Sequence, residues 1–174
     1  SSRPVHPWVF MVLIAPFGVV SGYVMVTLAY QLKQAGVSVG QVAGLVALSV
    51  LPHTWKFFWA PVIDATLDQK KWYLLAGTPC AIGIAAMGFF PATKLGLVAL
   101  SVIVFLASWT TTLIGMAVES LMAHSTPEEM KGRAGGWFQA GNLGGAGIGG
   151  GLGLFLVERL PAPWMASSIV GGLC

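Results

Sequence analysis

Long apolar runs alternate with short polar connections along the chain. Taken by length, the runs predict membrane-spanning helices at about residues 7–31, 39–63, 72–90, 95–122 and 132–157, followed by a shorter run over 161–174. A helix needs about twenty residues to cross the hydrocarbon core, so the first five qualify and the sixth is expected to be a span cut short. The connections at 33–36, 91–94 and 158–161 are tight, whereas those at 64–71 and 123–131 are longer and carry more charge. The two kinds alternate, as they do when successive helices run in opposite directions. In the last charged connection, Thr126-Pro127-Glu128-Glu129 predicts a helix start. Thr126 is its expected cap, Pro127 its first helical residue, and Glu129 the residue that closes a capping box.

Polar side chains inside the spans recur at steps of three and four residues, which gathers each set on one helix face. Tyr23, Thr27 and Tyr30 do this in the first span, and Ser49, His53 and Lys56 in the second. Ser108, Thr112 and Glu119 do it in the fourth, and Gln139 with Asn142 in the fifth. The third span holds only Thr78 and Cys80, and is expected to face lipid or to be structural. Charge and unpaired polar groups are expensive in hydrocarbon, so four polar-faced helices point to a shared wet interior. The expected cavity residues are Tyr23, Tyr30, His53, Lys56, Thr112, Glu119, Gln139 and Asn142. Lys56 stands eight residues before Asp64 and Glu119 nine before Glu128, so on helices running the same way their charges reach similar depth and can pair. The alternative is that each snorkels to the interface or bonds a carbonyl.

Composition sharpens the class. Apolar residues make up 56% of 174 positions and charged residues 9%, against about a quarter charged in a soluble domain, and mean hydropathy is +0.79. The expected protein is therefore an all-α, polytopic one whose first partner is the lipid bilayer. The net charge of +3 comes from scattered basic residues, not from a basic stripe, which argues against a nucleic-acid partner. Arg3, Lys70, Lys71, Lys131 and Arg133 lie at the amino terminus and in the charged connections. Only Lys33, Lys94 and Arg159 lie in the tight turns. By the positive-inside rule the amino terminus is expected to be cytoplasmic and the location a cell (inner) membrane. The first apolar run is too long for a signal-peptide core and is expected to stay. Cys80 and Cys174 define neither a disulfide framework nor a metal cluster. His53 reads more readily as a hydrogen-bonded packing residue than as a proton carrier, and Pro127 separates His124 from Glu128, so no metal ligand set is expected.

Glycine fills eleven of the twenty-two positions from 132 to 153. Gly141, Gly145, Gly149 and Gly153 fall at four-residue steps on one helical face, where a neighbouring backbone can approach closely. Gly145-x-Gly147-x-x-Gly150 matches a dinucleotide fingerprint in form only, because no strand precedes it. No cofactor is expected.

The run Leu51-Pro52-His53-Thr54-Trp55-Lys56-Phe57-Phe58-Trp59-Ala60-Pro61-Val62-Ile63-Asp64 resembles the second helix of the AmpG-like muropeptide permeases and the related acetyl-coenzyme A transporters of the major facilitator superfamily. That pattern reads roughly Pro, three residues, then Lys-Phe-Leu-Trp-Ala-Pro-Leu-x-Asp. Asp64 then matches the aspartate of the superfamily motif between helices two and three. Ala65 replaces the motif's usual arginine, Ala60 or Pro61 replaces its glycine, and Lys70-Lys71 keeps its basic pair. The run 107–118 is similar to the fourth-helix pattern, with Thr110 and Ile114 where acidic residues commonly stand. Glu128-Glu129-Met130-Lys131-Gly132-Arg133 resembles the acidic loop entering helix five. Gly141-x-x-x-Gly145-Ala146-x-x-Gly149-Gly150 resembles the antiporter motif, with Ala146 in place of proline.

The resemblance covers nearly the whole chain and implies the amino-terminal six-helix half of a twelve-helix permease, built from inverted three-helix repeats. A second, carboxyl-terminal six-helix half is then the implied partner. It also implies alternating access to a polar solute, with Asp64, Lys70 and Lys71 in the gating motif; Lys56, on one of the polar faces, is the expected contact for an anionic group. Two other classes stay open: a non-transporting assembly protein of the same fold, and a membrane-embedded enzyme. The enzyme reading lacks a nucleophile and base at helical spacing near Ser49, Ser108 or Cys80.

Overall fold

The computed structural model describes the backbone of residues 5–65, 68–90 and 94–174, and the side chains of these except at 60, 62–65, 69, 94 and 95. Every element among the described residues is helical. We number them α1 (Trp8–Gln34), α2 (Val39–Thr54), α3 (Lys56–Ala65), α4 (Gln69–Met87), α5 (Lys94–Ser125), α6 (Glu128–Arg159) and α7 (Pro163–Gly172). By length and apolarity α1, α5 and α6 can each cross a membrane, and the fold is that of an all-α membrane protein.

The turn between α1 and α2 is dictated locally. Gly36 takes the left-handed conformation (φ 81°). The Val37 N–H then donates to the Leu32 carbonyl and the Gly36 N–H to the Lys33 carbonyl, at 3.0 and 3.1 Å. This pair of bonds closes a helix end and needs a residue free of Cβ strain at its pivot. Ser38 immediately caps α2 in a reciprocal box with Gln41. Four residues therefore reverse the chain.

The second apolar run is not one helix. It breaks at Trp55 (φ −98°, ψ 9°), where a 3.3 Å bond from the Trp55 N–H to the Pro52 carbonyl tightens the chain. Pro52 and Pro61 flank the break, and neither can donate to the helical ladder. The expected box at Thr126 is also absent. Pro127 is extended (ψ 149°) and is itself the cap residue of a short 3₁₀ turn over Glu128–Met130, while the Thr126 hydroxyl is buried without a partner. An extended Pro127 cannot occupy the first helical position, so Glu129 has no cap to answer.

The α1–α6 interface is the most extensive among the described residues. A Cβ added at Gly141, Gly145 or Gly149 would meet the backbone of Met11, Ala15 or Val19, and one at Gly18 or Gly22 would meet the backbone of α6. Both helices also widen into π turns, at Tyr23–Leu28 and Ile148–Leu152, and these turns pack on each other. A π turn displaces carbonyls from the regular ladder. Here the Thr27 hydroxyl donates to the carbonyls of Gly149 and Gly150, at 2.9 and 3.1 Å, from a fully buried site. Elsewhere α5 packs on α4, on α2 and on α1, and α7 seats on α4. The Ser167 hydroxyl donates to the Ala85 carbonyl (3.0 Å) in that last contact.

Candidate functional site: a polar cavity within the helix bundle

The break at Trp55 sets up the site. It ends α2 just after His53 and starts α3 at Lys56, so both face α5. The Lys56 ammonium sits 2.6 Å from both carboxylate oxygens of Glu119. A lysine at a helix start opposes the positive end of the helix dipole, and Glu119 compensates for that as well as for the charge itself. Two helical turns from Glu119 along α5, Thr112 Oγ1 lies 2.7 Å from His53 Nδ1 and 2.9 Å from the Ser108 carbonyl. The hydroxyl has one proton. Giving it to the Ser108 carbonyl leaves Oγ1 to accept from His53 Nδ1–H, which satisfies all three groups and assigns the ring tautomer.

These groups line a cavity of about 210 Å³. His53 and Lys56 form one wall, and Thr112, Gly115 and Glu119 of α5 form a second. Gln139 and Asn142 of α6 supply two amides, whose mutual contact at 3.5 Å leaves them available to other partners. Ile14 and Phe17 of α1, with Phe138, complete it. Phe17 also packs against His53, ring centroids 5.1 Å apart. A second cavity of about 160 Å³ shares Phe17 and His53 and is lined by Ser49, Ser108 and Thr111. Together the two cavities line the inner faces of α1, α2 and α5, the second being mostly apolar through Val20, Met25 and Val50.

Six of the eight expected cavity residues meet here: His53, Lys56, Thr112, Glu119, Gln139 and Asn142. The first-span pair does not. Tyr23 is fully buried in the α1–α6 seam beside Gly153, its hydroxyl near Ser167 without a well-formed bond. Tyr30 accepts from the Gln34 amide (2.9 Å) and donates to Glu158 (3.3 Å), near the tight-turn end of α1 and α6. Spacing put both on one face with Thr27, but that face looks at α6, because the glycines draw the two helices together there. Gly153 lies in the same seam, against Thr27 and Tyr23. Lys70 and Lys71 are exposed in the first turn of α4. The Asp64 side chain lies outside the described residues, so its place relative to Lys70 and Lys71 is not described. The apolar wall of Ile14, Phe17 and Phe138 was invisible in the sequence, since apolar residues on apolar helices carry no mark. Among the described residues no group of three His, Cys, Asp or Glu is placed to hold a metal ion.

A bundle of apolar helices that turns charges and amides inward on a shared cavity is a multi-pass membrane protein of transporter type. The sequence model of the BT1 family matches residues 18–157, most of α1 through nearly all of α6. The chain belongs to the BT1 family, a family of membrane transporters similar to the major facilitators. No curated protein and no solved structure matches it significantly.

Proposed function

We propose that this chain is the amino-terminal half of a secondary active permease, which moves a small or medium polar solute by alternating access. The observation that carries this reading is the convergence of Lys56, Glu119, His53, Gln139 and Asn142, from separate helices, on one cavity. Lys56 is its contact for an anionic group on the solute. Part of the packing fits an inverted repeat in which the first, second and third spans correspond to the fourth, fifth and sixth, although the extensive third–fourth contact has no first–sixth counterpart of similar size among the described residues. First-to-fifth contact maps onto fourth-to-second under that exchange, and the first–fourth and third–sixth contacts map onto themselves. On this reading a second six-helix half closes the open side of the cavity. Asp64, Lys70 and Lys71 belong to the gate, and the amino terminus lies on the cytoplasmic side of a cell (inner) membrane.

Flux in proteoliposomes containing the full-length protein tests the proposal. A panel of radiolabelled anionic and neutral polar solutes should reveal saturable uptake, reduced at least tenfold in Lys56→Gln and Gln139→Ala. Protein that reconstitutes in a folded state yet moves no member of the panel would favour the non-transporting reading instead.

A further inference from the structure

A cavity roomier than the polar one lies elsewhere in the bundle. A groove of about 430 Å³ lies where the beginnings of α1 and α4 meet the end of α5. Its floor is Ala117 and Val118, both buried, with Val9 and Leu13 of α1 on one side and Tyr73 on the other. The Tyr73 hydroxyl donates to the Leu13 carbonyl at 3.0 Å, so the wall's one polar tip is already satisfied and the groove presents hydrocarbon. Leu74, 69% exposed, and Lys70, also exposed, stand at its open edge.

We infer that this groove holds one acyl chain of an anionic phospholipid, with the Lys70 ammonium against the lipid phosphate. Three features support that occupant. The groove opens from the flank of a membrane helix bundle, where the surrounding solvent is lipid. It lies at the end of the bundle that carries Lys70 and Lys71, where basic side chains meet headgroups and their stems cover apolar surface. Lys70 has no acidic partner among the described residues. An apolar slot with an unpaired cation at its mouth matches a lipid with a negative headgroup, and suits a zwitterionic one less well. A bound lipid here would tie α1, α4 and α5 together at one end without touching the polar cavity.

Native mass spectrometry of the full-length protein tests this, after exchange into equimolar phosphatidylglycerol and phosphatidylcholine of identical chains. Wild-type protein should retain phosphatidylglycerol preferentially. Lys70→Gln should lower that preference about fivefold, the factor one lysine contributes beside an anionic surface. Val118→Trp, which fills the floor, should lose retention of both lipids, while Lys33→Gln at the opposite end should match wild type. Equal retention of the two lipids by wild type, or an unchanged preference in Lys70→Gln, overturns the proposal. So does a wild type that retains no lipid, the result expected if a second copy or another part of the chain fills the groove. None of these outcomes depends on whether the protein transports.

Discussion

Alanine at Gly145 and alanine at Gly144 should have opposite effects on stability. At Gly145 the new methyl group would lie 3.1 Å from the Ala15 carbonyl carbon and the Val19 nitrogen, and closer still to the Ala15 oxygen. All three are backbone atoms on a helix packed along its length, so no side-chain rotation relieves the contact. The two helices must separate by ~1 Å, which opens the seam above and below the substitution. Overpacking of this kind costs about 1–3 kcal/mol. Replacing glycine by alanine within a helix returns about 0.5–1 kcal/mol. The net expectation for Gly145→Ala is a loss of about 1–2 kcal/mol. At Gly144 nothing lies within 4 Å of the added carbon, so only the helix term remains and the variant should gain up to about 1 kcal/mol. Gly147→Ala is a second control with the same open surroundings. Equilibrium unfolding of the full-length protein in mixed micelles reads the difference between the two alanines, about 2 kcal/mol. If Gly145→Ala proves as stable as Gly144→Ala, the backbone-on-backbone seam is not what joins α1 to α6.

Four other outcomes follow from the site and the seam. Lys56 and Glu119 are 42% and 41% exposed, so a double-mutant cycle with Lys56→Met and Glu119→Gln should give a coupling on the order of 1 kcal/mol, not the larger value of a fully buried pair; coupling indistinguishable from zero would mean the pair does not hold in solution. Thr27→Val removes the hydroxyl that serves the Gly149 and Gly150 carbonyls and should cost ~0.5–2 kcal/mol in the same unfolding assay, with Thr27→Ser near wild type; equal stability of the two variants would dismiss the bond. In a background lacking Cys80 and Cys174, a membrane-impermeant thiol reagent should label Gln139→Cys at least tenfold faster than Tyr23→Cys, and comparable rates would contradict the placement of the wet interior. Glu119→Gln should abolish gradient-driven uptake while sparing solute exchange if Glu119 carries the coupling proton, and unchanged accumulation in vesicles would remove it from that role.

What the sequence determined by itself is what depends on neighbours along the chain. Apolar run length marks a membrane protein, because the cost of exposing helix backbone and charge to hydrocarbon is the same wherever the helix sits. The Gly36–Ser38 reversal is equally local, and its residues specify it without help. The three- and four-residue steps identify which side chains share a face, but a face has no address until a partner helix is known. Tertiary structure alone decided that Thr27 and Tyr23 look into the glycine seam while His53, Lys56 and Glu119 look into the cavity. The spacing of Gly141, Gly145 and Gly149 is visible in the sequence; that α1 is the helix pressed against them is not. Likewise the proline pair around Trp55 signals a weak point, yet only the packed bundle shows that the break lets Lys56 meet a carboxylate sixty-three residues away. Periodicity is a property of one helix, whereas close approach, ion pairing and enclosed volume are properties of two or more. In a membrane the hydrophobic effect does little to choose among helix partners, so shape and polar complementarity make that choice.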